Sequence, residues 1–81
     1  MKDVREYSEE IQKLVSIIKE YRGTDPVAVI ENANKLETQG HKLNDEALIG
    51  YASFCKGETY YLLNDVIKFY REMTSAMRIM M

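Results

Sequence analysis

Tyr21-Arg22-Gly23-Thr24-Asp25-Pro26-Val27 writes a helix stop and a helix start into one short run. Gly23 can take the left-handed conformation that follows a last helical turn at little cost. Asp25 can accept hydrogen bonds from the free N–H groups of a new helix. Pro26 suits the first helical position, where its missing N–H is no loss. Two helices joined by so short a link must turn back on one another, so this run predicts a helical hairpin.

Upstream, Val4, Tyr7, Ile11, Leu14, Ile18 and Tyr21 fall at spacings of three and four, with Val15 and Ile17 widening the stripe. That spacing predicts a helix over 4–22 with one apolar face, and Asp3 with Glu6 reads as its capping box. Downstream, Val27, Ile30, Ala33 and Leu36 predict a second helix over 26–39, stopped by Gly40. Asn44 is a good cap for a third helix, with Asp45 and Glu46 in a first turn that favours negative charge. The third helix is expected over 45–63. Gly50 and Gly57 lie seven apart on one of its faces, where small residues admit a close neighbour. Asn64-Asp65 reads as a turn plus cap, and Val66, Phe69, Tyr70, Met73, Ala76, Met77 and Met80 predict a fourth helix over 65–80. No segment alternates as a strand would. The expected fold is all-α, four antiparallel helices forming two hairpins in one domain over 1–81.

The stretch Gly57-Glu58-Thr59-Tyr60-Tyr61-Leu62-Leu63-Asn64-Asp65 resembles a tetratricopeptide-type helical repeat. In that family a small residue lets the second helix pack closely, an aromatic three residues later fills the space between helices, and an Asn-Asp or Gly-Asp pair turns the chain. Gly57, Tyr60 and Asn64-Asp65 hold those places, and Ala76 stands where a second small residue is expected. Ala33-Asn34-Lys35-Leu36, Gly40 and Glu46-Ala47-Leu48-Ile49-Gly50-Tyr51 look like one repeat passing into the next. The resemblance spans about residues 25–77. It is similar to helical regions of bacterial regulatory and sensor proteins, including those ahead of diguanylate cyclase domains, and implies a signalling or protein-interaction role. An ordinary four-helix bundle satisfies the same pattern.

Composition narrows the function. The chain has 81 residues, 11 basic against 13 acidic, and a formal net charge of −2. So balanced a charge, with Lys68 and Arg71 scattered rather than striped among aromatics, argues against nucleic-acid binding. One Cys and one His exclude a disulfide framework and a Cys-rich zinc site. The charged N-terminus is no secretory signal, and no window is apolar enough to span a bilayer, so a cytoplasmic location without membrane insertion is expected. Glu37, His41, Asp45 and Glu46 are the nearest approach to a metal set. They straddle the expected helix end at Gly40, and the reading is a solvated surface histidine and no metal site. Cys55, in the middle of the small-residue helix, reads as a packing thiol. No catalytic residue and no cofactor are expected, and the chain is not read as an enzyme; a small metal carrier or enzyme using His41 is the outlying alternative.

The C-terminus is the anomaly. Met73, Met77, Ile79, Met80 and Met81, with Phe69, leave the fourth helix apolar on more than one side, where the end of a helical array should be polar. An apolar patch of adaptable methionines marks an interface. Tyr60 and Tyr61 are adjacent and cannot both face inward, so one of them is available to a partner. The expected function is a protein-interaction or scaffold module that self-associates through this helix or docks another protein or peptide. A regulatory domain cut from a larger signalling protein, or a designed chain with an added interface, fits the same features.

Overall fold

The computed structural model describes residues 3–80, with side chains as far as Arg78. A short 3-10 turn, Val4–Glu6, precedes four α-helices: α1 (Glu9–Tyr21), α2 (Pro26–Lys42), α3 (Glu46–Leu62) and α4 (Val66–Met80). No strand occurs among the described residues. The fold is all-α, and the main packing runs α1 on α2, α2 on α3 and α3 on α4, in antiparallel hairpins.

The hairpin between α1 and α2 follows from its residues. Arg22 (φ −59°, ψ 120°) and Gly23 (φ 85°) form a type II turn, closed by Thr24 N–H donating to Tyr21 O at 3.0 Å. Asp25 Oδ1 then accepts from Ala28 N–H at 3.2 Å, and Pro26 opens α2.

Two expected boundaries are wrong. The helix predicted over 4–22 is broken at Tyr7, whose backbone is extended (φ −89°, ψ 167°). Asp3 caps only the 3-10 turn, through Arg5 N–H, while Ser8 caps α1 by accepting from Ile11 N–H at 3.3 Å. The break turns Tyr7 into the core, where its hydroxyl donates to Asp45 Oδ2 at 2.5 Å and ties the N-terminus to the start of α3.

Gly40 does not end α2 either; the helix continues to Lys42. The left-handed residue is Asn44 (φ 52°), so Asn44 closes α2 and Asp45 caps α3. Asn44 N–H donates to His41 O at 3.2 Å and Asp45 N–H to Gly40 O at 2.9 Å, the paired bonds of a Schellman ending. The next turn repeats the device: Asn64 (φ 61°) donates to Tyr61 O at 3.0 Å and Asp65 N–H to Tyr60 O at 2.8 Å. Both turns carry Leu-Asn-Asp, at 43–45 and 63–65. Asn is the residue other than Gly that best tolerates this conformation.

Gly40 instead sits where α2 and α3 cross. A Cβ there would lie 2.7 Å from Ile49 Cγ1. The core joins Ile11, Leu14, Val15 and Ile18 of α1 to Val29, Ala33 and Leu36 of α2 and Leu48, Ala52 and Cys55 of α3. Helix α3 is covered on two sides, so its apolar residues do not gather into one stripe. Helix α4 lies outside that core and is held by α3, leaving the α3–α4 hairpin as one flank of a slab 34 × 28 × 17 Å.

Candidate functional site

The α3–α4 hairpin is held by close approach and by charge. At Gly57 an added Cβ would meet Met73 Cε at 3.0 Å and Glu72 Cβ at 3.3 Å, so the absent side chain lets α4 settle onto α3. Ala76 is buried further along the same seam, and Gly50 is buried on α3.

On one side of this seam Lys56, only 7% exposed, reaches three partners. Its Nζ lies 2.7 Å from Glu37 Oε2 of α2 and 3.1 Å from Glu72 Oε2 of α4, and it donates to Asn34 Oδ1 at 3.1 Å. Burial pulls the Lys56 ammonium toward its neutral form, but the two carboxylates outweigh burial and its pKa ends above the ordinary lysine value. One cation thus links three helices. Sequence reasoning missed it. The signal was a lysine whose neighbours about one turn away, Ala52, Ser53 and Thr59, are small.

The other side of the seam is apolar and open. Phe54, Glu58 and Tyr61 of α3 face Phe69 and Met73 of α4 across a groove of about 220 Å³. The Tyr61 and Phe69 rings lie 5.2 Å apart, and Phe69 and Tyr70 5.4 Å, both tilted as aromatic pairs prefer. Glu58 at the groove's edge is engaged by Arg22, whose guanidinium makes two contacts of 2.5 Å; that hydrogen bonding holds the carboxyl below its ordinary pKa. Beyond the groove α4 turns outward: Ile67 (75% exposed), Tyr70, Arg71, Thr74, Ser75 and Arg78 share a shallow surface.

The residues expected to form an interface therefore divide. Phe69 and Met73 are half-buried against α3, and Met77 is 60% exposed. The side chains of Ile79 and Met80, and the whole of Met81, lie outside the described residues. Tyr60 and Tyr61 point different ways. Tyr60 is half-buried, with Lys68 Nζ 5.4 Å from its ring centre, while Tyr61 is exposed at the groove. Val66 and Ile67 were not singled out for this surface, although they stand exposed at the start of α4.

The remaining candidates stay apart. His41 is exposed, with Nε2 3.9 Å from Glu37 Oε1, and Asp45 is engaged by Tyr7 and by Leu48 N–H. Among the described residues no three His, Cys, Asp or Glu side chains gather as a metal ion requires. Cys55 is buried, and burial pushes its thiol pKa up, away from the reactive thiolate. Burial likewise pushes the Tyr51 hydroxyl beside it up to about 12. Among the described residues no helix is long and apolar enough to cross a membrane. No protein-family model, curated protein or solved structure matches the chain.

Proposed function

We propose that the chain is a protein-interaction module whose contact surface is the outer side of the α3–α4 hairpin. One observation carries this reading: large exposed apolar side chains run from Phe54 and Tyr61 across the turn to Val66, Ile67, Tyr70 and Met77, while α1 and α2 expose little beyond Tyr21 and Val27. Water contact at such a patch is unfavourable, and a partner that covers it gains roughly 25 cal/mol per Å² of apolar area. The helices beneath are tied by the Gly57 approach and the Lys56 links, so little conformational entropy is lost on binding. The regulatory role implied by the tetratricopeptide resemblance is compatible with such a surface.

Selection from a displayed random-peptide library tests the reading. The wild-type chain should enrich peptides that a Phe54→Gln, Tyr61→Gln, Tyr70→Gln, Met77→Gln variant of unchanged helical circular dichroism does not bind. Peptides held equally by both chains would refute it. A second reading, self-association through α4, is favoured by the exposure of Met77. Light scattering at micromolar concentration tests it: a dimer dispersed by Met77→Glu supports it, and a monomer ends it.

A further inference from the structure

We infer that the outward side of α4 is a docking strip for an acidic segment of another protein, which presents two carboxylates about 10 Å apart to Arg71 and Arg78. The inference rests on the reading of the α3–α4 hairpin as a contact surface and adds which part of it is charged and what that part binds.

The strip is separate from the groove. Arg71 stands two residues from both Phe69 and Met73, a rotation of about 200° on a helix, so it points away from α3. Arg78 lies two turns further along the same outward side. Between the two arginines Thr74 and Ser75 are short, and with Ile67 and Tyr70 they line a shallow depression of about 540 Å³.

Charge selects the occupant. The only acidic residue of α4, Glu72, is turned inward onto Lys56. The charged side chains left outside on α4, Lys68, Arg71 and Arg78, are all basic. Lys68 has Asp65 at 3.8 Å, but Arg71 and Arg78 have no acidic partner among the described residues. An ionised carboxylate only accepts hydrogen bonds, and this depression offers it two guanidinium forks and two hydroxyl donors. Ile67, 75% exposed, and Tyr70 beside it give the same segment an apolar wall to cover. Glutamates seven residues apart on an opposing helix match the separation of the arginines.

Other occupants fit less well. Two α4 helices packed about a twofold axis would bring the arginines toward their own counterparts, and like charges repel. The acids on the outward side of α1, Glu9 and Glu20, stand eleven residues apart with Lys13 between them, so a second copy offers neither the spacing nor a single sign. An anionic bilayer rewards large apolar side chains, whereas the centre of this strip is a pair of hydroxyls. Two arginines in a chain of net charge −2 are too few for a phosphate backbone.

The test uses the full chain and synthetic helices of about 18 residues, long enough for five turns. The first peptide carries two glutamates seven apart with leucines between them on the same side, and no other charge. In the second, glutamines replace the glutamates. In the third, the glutamates move two positions along, which turns them to the far side at the same net charge. Fluorescence anisotropy should show the first bound about tenfold more tightly than either control, and less tightly as salt rises from about 0.05 M to 0.5 M. Arg71→Gln with Arg78→Gln should erase that difference, while Lys13→Gln with Lys35→Gln, the same charge change on α1 and α2, should leave it intact. Equal binding of the first and third peptides would overturn the inference in favour of unspecific attraction. Equal binding of the first and second, weakened by Ile67→Gln with Tyr70→Gln, would overturn the acidic assignment while leaving the contact surface standing. Binding of none, together with an empty library selection, would overturn both. A dimer broken by Arg71→Gln with Arg78→Gln would overturn the inference in favour of a second copy, and retention on phosphatidylserine vesicles without peptide binding would overturn it in favour of a membrane.

Discussion

Replacing Gly40 by Ala tests how α2 meets α3. In an open helix the change should help, because Ala is favoured over Gly by about 1 kcal/mol in a helix interior. Here the new Cβ would stand 2.7 Å from Ile49 Cγ1, 3.2 Å from Ile49 N and 3.5 Å from Asp45 O. Cγ1 is the first atom beyond a branched Cβ, Ile49 is only 9% exposed, and its backbone belongs to the first turn of α3, so it has little freedom to retreat. Overpacking of this kind costs about 1–3 kcal/mol. The helix gain offsets part of it, and the net expectation is a loss of about 1 kcal/mol. With an unfolding slope near 1 kcal/mol per molar urea for so small a chain, the midpoint should fall by about 1 M. Gly57→Ala provides the contrast. Its nearest obstacle, at 3.0 Å, is the terminal methyl of Met73, which can swing aside, and Glu72 Cβ and Met73 Cγ at 3.3 Å need give by only a few tenths of an ångström, a cost the helix gain offsets, so that variant should stay within about 0.5 kcal/mol of wild type. In an Ile49→Ala background the closest obstacle to Gly40→Ala is gone, and the same change should become nearly neutral, a coupling of about 1 kcal/mol. A Gly40→Ala midpoint above that of wild type, or an equal shift in both backgrounds, would show that the helices do not touch there as described.

Other expectations concern charge and hydrogen bonding. Lys56→Met leaves the Glu37 and Glu72 carboxylates facing each other without a cation; because both keep some solvent, the cost should be about 2 kcal/mol, below that of a fully buried pair. In wild type the Lys56 pKa is raised on folding, so its contribution is complete below about pH 10.4 and is lost as pH climbs through the higher folded value; urea midpoints of the two chains should converge there, and a constant gap would refute the assignment. The Glu58 pKa is lowered, chiefly by hydrogen bonding to Arg22, so its contribution is present above about pH 4.5 and lost as pH falls through the folded value; Glu58→Gln should cost no more than about 1 kcal/mol at pH 7, and the gap should close as pH falls through that lower value. Tyr7→Phe removes the hydroxyl that donates to Asp45, and a loss of about 1–2 kcal/mol in urea unfolding is expected; an unchanged midpoint would show that the link does not hold the N-terminus to α3.

What could be read from the sequence was what local chemistry settles. Gly23, Asp25 and Pro26 each act on their own backbone, and the structure uses them as expected. Gly40 was ambiguous because glycine serves both a left-handed helix ending and a close helix crossing. Only Ile49, nine residues away in sequence and directly opposite in space, decides for the crossing. The better guide was the repeated Leu-Asn-Asp, since the same tripeptide twice implies the same turn twice. The break at Tyr7 escaped notice because Val4, Tyr7 and Ile11 keep an apolar spacing that a 3-10 turn followed by a helix serves as well as one continuous helix. Lys56 was illegible as a link, because its partners Glu37 and Glu72 lie on two other helices and no local pattern joins them.

The inward turn of Glu72 connects the stability of the hairpin with the character of its outer surface. Helix α4 carries four charged residues, Lys68, Arg71, Glu72 and Arg78. Were Glu72 outside, it would lie within a turn of Lys68 and Arg71 and neutralise part of their field. Drawn onto Lys56, it holds α4 to α3 and removes the one negative charge from the exterior. The lysine that it meets is itself shared with Glu37, so the same inward cluster fixes α2, α3 and α4 together. Gly57 permits this arrangement, since a side chain there would press on Glu72 Cβ at 3.3 Å as well as on Met73. Close packing at one glycine thus places an acid where it binds helices together, and leaves the outward side of α4, with Arg71 and Arg78, without an acidic partner among the described residues.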